Sequence, residues 1–79
     1  MTREEIMSEV EEIFRDVLDN EDIELTEETT SFDIDEWDSL SHIQLVVAIE
    51  KKFKLKFTAA QISGWSNVGA MCQDIADRL

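Results

Sequence analysis

The stretch Glu36-Trp37-Asp38-Ser39-Leu40-Ser41-His42-Ile43-Gln44-Leu45-Val46-Val47-Ala48-Ile49-Glu50 decides how this chain is read. Two adjacent polar residues, Asp38 and Ser39, precede an apolar run at helical spacing. Either side chain can cap a helix by accepting a backbone amide that has no partner in the first turn. One of them is then left over, at the end of the helix where free amides and the macrodipole favour negative charge. The run itself carries two apolar stripes: Leu45, Val46, Ile49 and Phe53 form one, and Leu40, Ile43 and Val47 form the other, each recurring at intervals of three and four. A small domain buries one face of such a helix, so one of the two stripes is expected to stay exposed for a partner.

Outward from this helix, expected over about 39–54, the chain supplies three further helices and one long connection. Thr2-Arg3-Glu4-Glu5 reads as a capping box, and Ile6, Val10, Ile13, Phe14, Val17 and Leu18 form one stripe behind it, predicting a helix over 3–18. Residues 19–38 hold no sustained period. Threonines and acids alternate there with Ile23, Leu25, Phe32, Ile34 and Trp37, read as apolar anchors that pin a long loop to the helices. Thr58 to Gly64 predicts a short helical turn capped by Thr58 and stopped by Gly64, and Ser66 or Asn67 caps a last helix with the stripe Val68, Met71, Cys72, Ile75 and Leu79. The expected fold is all-α: one domain over 1–79, a small antiparallel bundle of three main helices plus one short helix.

Composition narrows the function. The chain has 79 residues, of which 43% are hydrophobic, with no proline and two glycines. That length supports a small core but not a two-lobed catalytic cleft. Net charge is -12, and residues 1–38 carry 16 acidic and 2 basic side chains against 3 and 5 in residues 39–79. Such a balance argues against nucleic acid; it fits a basic protein partner and equally a charge that serves solubility alone. No apolar run nears the roughly 20 residues of a membrane span. A single cysteine, Cys72, excludes an internal disulfide and suits a reducing cytoplasm; its place on an apolar stripe marks an inert thiol.

Asp38-Ser39-Leu40, at the start of the second helix and behind a long acidic loop, resembles the acyl carrier protein family, and the likeness extends over nearly the whole chain. The resemblance implies a carrier rather than an enzyme. It makes Ser39 the attachment point for 4′-phosphopantetheine, delivered from coenzyme A by a phosphopantetheinyl transferase, with Asp38 helping to hold the transferase's divalent metal. The arm's thiol then bears an acyl or aminoacyl group as a thioester. Leu40, Ile43 and Val47 match positions that meet partner enzymes, whereas Leu45, Val46, Ile49 and Phe53 match the core. The chain is expected to act as a monomer in the cytoplasm.

The sequence departs from the fatty-acid-synthesis pattern on the second helix. Where those carriers present acids, Ser41, Gln44, Glu50, Lys51 and Lys52 stand here, and Lys54 and Lys56 extend a basic patch, read first as a solvated helix end set against the C-terminal dipole. With Trp37 and His42 beside the motif, this looks more like stand-alone carriers of specialised pathways. Those are served by an acyl- or aminoacyl-adenylating ligase and by downstream transferases or condensing enzymes.

Three other readings are open to the sequence. His42, one turn beyond Ser39, resembles a base, and Asp35 or Asp38 completes a nominal triad; two side chains three apart on one helix lack the required geometry. Asp33, Asp35 and Asp38 sketch a calcium loop, but Trp37 and Asp38 occupy its oxygen-ligand and glycine positions, so no resident metal is expected. The alternative from another class is an acidic helical adaptor or inhibitor that binds a basic protein without a covalent cofactor.

Overall fold

A computed structural model describes residues 1–79 and contains four helices and no strand: α1 (Arg3–Val17), α2 (Ser39–Phe53), α3 (Ala59–Gly64) and α4 (Val68–Arg78). Each of the first three begins with a reciprocal capping box, in which a cap oxygen takes an amide and the third residue returns a bond to the cap's own amide. Asn67, rather than Ser66, caps α4 by accepting the Ala70 N–H. The α1 and α2 ends lie one residue earlier than expected, because Leu18 and Lys54 act as C-caps. Asp19 (φ 51°) and Lys54 (φ 57°) then turn the chain through the left-handed region usually given to glycine. Gly64 is not such a stop: it lies inside α3, no glycine has positive φ, and Trp65 is the cap.

α1 packs against both α2 and α4. Their facing stripes build the core: Ile6, Val10 and Phe14; Leu45 and Ile49; Val68, Met71, Cys72 and Ile75, all fully enclosed. Val46 is buried as expected, whereas Phe53 only half closes the end of α2. Desolvation pushes the Cys72 thiol up to about 11, the state of an inert core cysteine.

The long loop is a series of tight turns, closed by Thr29 N–H to Thr26 O, Asp33 N–H to Thr30 O and Trp37 N–H to Ile34 O. Ile23, Leu25, Ile34 and Trp37 enter the core, and the Trp37 ring meets Phe14 edge-on at 4.9 Å. Phe32 is not the anchor its sequence suggests, being 96% exposed. The loop backbone is held by polar side chains of α1: Glu11 accepts the Leu25 N–H at 2.9 Å, and Arg15 donates to Ile23 O at 2.8 Å. It also serves α4, since Thr29 O and Glu27 O accept the otherwise unpaired Val68 and Gly69 amides at 2.9 Å each. Arg3 closes the seam by donating to Glu27, to Gly69 O and to Gln73.

Candidate functional site

Asp38 is the N-cap of α2, and Ser39 is its first helical residue. The Asp38 carboxylate accepts the Ser41 N–H at 2.9 Å, and the Ser41 hydroxyl accepts the Asp38 N–H at 2.8 Å while donating to Glu36 O. Hydrogen bonds from the Ser41 backbone and then its side chain hold the Asp38 carboxyl below its ordinary range, so it is ionised and exposed beside Ser39. Ser41, matched from sequence to an exposed position on α2, is instead buried: its hydroxyl completes the capping box. The signal was present as a polar residue three places after a cap, the box spacing, though with serine in place of glutamate. Ser39 takes no part in this network and lies exposed on the first turn.

His42 does not act on Ser39. Its Nδ1 accepts the Trp37 indole N–H at 3.0 Å, and the two rings stack at 5.9 Å with 24° between their planes. The histidine is therefore a half-buried support that fixes Trp37 below the motif. Trp65 stands edge-on to both His42 and Phe57 and donates its indole N–H to Asp74, tying the α3–α4 link to α4. A groove of about 500 Å³ opens between these elements, lined by Ser39, Trp37, His42, Ile62 and Trp65 with Ser31, Ser63 and Ser66 around it. Its walls combine rings and hydroxyls with the Asp38 carboxylate and offer hydrogen bonds to a slender chain bearing amide groups.

The second apolar stripe of α2 is open to solvent: Leu40 is 69% exposed, Ile43 62% and Val47 45%. It begins immediately after Ser39. No three His, Cys, Asp or Glu side chains converge at metal-holding distance, and the Asp33 carboxylate is engaged by the Thr30 N–H. No helix is long and apolar enough to cross a membrane.

A four-helix fold with an exposed serine at the head of α2 is compatible with a carrier of a covalently held group, and comparison with known proteins gives the family. Residues 8–75 match the family described as "Phosphopantetheine attachment site". Among solved structures, the chain is similar to a holo acyl carrier protein from Geobacter metallireducens, determined in solution by NMR. The two share 39% identity with a TM-score of 0.86, over 91% of this chain and 83% of that one. No curated protein matches. The chain belongs to the acyl carrier protein family, whose members are carriers and not enzymes. Its prosthetic group is 4′-phosphopantetheine. The residues present fit that group: a helix N-terminus with a free hydroxyl suits the phosphodiester, and the adjoining groove suits the pantetheine chain.

Proposed function

We propose that Ser39 is the attachment point of the 4′-phosphopantetheine arm, and that residues 1–79 form one carrier domain. The observation carrying this is the division of labour at the head of α2. Asp38 does the capping, so the Ser39 hydroxyl is left exposed and free at the positive end of a helix. Ser39 Oγ gives up its proton and takes the phosphopantetheinyl group from coenzyme A bound to a phosphopantetheinyl transferase; the pyrophosphate bond breaks and adenosine 3′,5′-bisphosphate leaves. Asp38, ionised beside it, contributes to that enzyme's divalent-metal site. The arm's thiol carries an acyl or aminoacyl thioester loaded by an adenylating ligase. Leu40, Ile43 and Val47 dock the carrier, as a cytoplasmic monomer, to each downstream transferase or condensing enzyme in turn, with the weak, fast binding of a small interface. The lysines on α2 support a specialised pathway over housekeeping fatty acid synthesis.

Intact mass before and after incubation with coenzyme A, magnesium and a broad-range transferase tests the reading. The expected result is a gain of one phosphopantetheine, abolished in Ser39→Ala. An unmodified chain, beside a control carrier that is modified, would favour the noncovalent adaptor.

A further inference from the structure

The chain has 19 acidic and 7 basic side chains, so a cation without a carboxylate partner is unexpected. Arg3, Arg15 and Lys52 are each in an ion pair, with Glu27, Glu11 and Glu9. Arg78 donates to Gln61 and lies over the Phe57 ring. The three basic side chains that remain, Lys51, Lys54 and Lys56, are exposed, form no ion pair and line one groove of about 410 Å³. Val47 and Leu55 form its apolar part. The other member of the lining is Glu50, whose carboxylate is already engaged by the Phe57 N–H at 2.9 Å. Lys51 also borders a second groove with Glu9, Glu12 and Asp16, yet pairs with none of them.

Val47 belongs to both surfaces. The exposed stripe Leu40, Ile43, Val47 runs along α2 at helical spacing, Lys51 continues it by one further turn, and Lys54 follows at the C-cap. The face next to Ser39 is thus apolar for its first half and cationic for its second, on a molecule whose net charge is -12.

We infer that this face docks a protein partner with acidic side chains beside an apolar projection, so that carboxylates meet Lys51, Lys54 and Lys56 while the projection fills the Val47–Leu55 groove. Charge complementarity fixes the choice. Unpaired lysines attract carboxylates, and like charge would repel the basic partner that the overall charge invites. Nucleic acid or an anionic membrane is anionic over its whole extent and would meet the net charge of -12 everywhere, whereas a protein surface can confine its carboxylates to the lysine groove. The inference deepens the carrier reading by naming the class of docking surface on its enzymes, but it does not depend on modification of Ser39.

The test is an amide-shift titration of the full-length, isotope-labelled, unmodified chain with two synthetic amphipathic helical peptides. They share a leucine face, flanked by glutamates in one and by lysines in the other. The glutamate peptide is expected to shift Val47, Lys51, Lys54 and Leu55 saturably and to weaken at ~0.5 M salt, where exposed charges are screened. Lys51→Glu/Lys54→Glu/Lys56→Glu should weaken it by about tenfold, with the glutamine triple variant in between. Equal binding of the lysine peptide, shifts that persist in the triple variant, or no shifts at these amides would overturn the inference. So would lysine-dependent binding to phosphatidylglycerol vesicles without binding of the glutamate peptide. Because the chain is unmodified throughout, the outcome is independent of the mass measurement on Ser39.

Discussion

Asp38, Ser39 and Ser41 are three small polar residues within one helical turn, and each has a different environment. Asp38 exchanges backbone bonds with Ser41, Ser41 is buried and bonded on both sides, and Ser39 faces water with its hydroxyl unused. The site therefore needs Ser41 as its support. In Ser41→Ala the Asp38 N–H and Glu36 O lose a partner in a half-buried setting. Leaving such groups unpaired costs about 1–3 kcal/mol, and a urea midpoint lowered at unchanged slope is the expected measurement. Modification of Ser39 should survive that change, since the alanine variant retains both the Asp38 carboxylate and the Ser41 amide it caps.

At the scale of the element, α2 is a helix with two jobs. Leu45 and Ile49 hold it to the core, while Leu40, Ile43 and Val47 stay in solvent. Its start depends on a charged cap. The Asp38 carboxyl is held below its ordinary value of 3.8 by the Ser41 backbone and side chain. A lowered carboxyl contributes stability that is complete above its unfolded value and disappears as pH falls through its folded one. The first turn of α2 should accordingly be unchanged from neutral pH to about pH 4 and loosen below it. The Leu40 and Ser41 amide shifts followed on acidification would show this. Asp38→Asn, which caps without titrating, should flatten the response of Ser41; an unchanged profile in that variant would mean another group is responsible.

In the molecule as a whole, the long loop holds the helices in register. Glu27 O and Thr29 O occupy the amides at the head of α4, Arg15 and Glu11 of α1 hold the loop backbone, and Trp37 brings its last turn into the core beside Phe14. Gly69 is where loop and α4 come closest: a Cβ there would lie 2.8 Å from Glu27 O and 3.1 Å from Glu27 Cβ. Since the obstructing atom is backbone, Gly69→Ala must move the loop. A loss of about 1–3 kcal/mol is expected, read by thermal or urea unfolding, together with faster hydrogen exchange at Val68 and the alanine at 69. Stability equal to wild type would show that the loop yields freely at this point. Charge is also organised at this scale: the acidic residues concentrate in α1 and the loop, and the unpaired lysines at the far end of α2.

The helices, their order and the motif at the head of α2 were legible in the sequence, because capping boxes and apolar periods of three and four are local properties of a chain. The same periods gave α2 two stripes and a domain this small one core, but spacing alone did not say which stripe would be buried; the exposures of Leu40, Ile43 and Val47 do. Tertiary structure decided which of two adjacent polar residues would cap. It buried Ser41, left Phe32 in water, turned His42 toward Trp37 instead of Ser39, and paired Lys52 while leaving Lys51, Lys54 and Lys56 free. The Asp38–Ser41 box is local and its spacing was present in the sequence, but two adjacent polar residues competed for the cap and spacing did not rank them. The pairing of Lys52 depends on Glu9, more than forty positions away, about which a residue's own spacing carries no information.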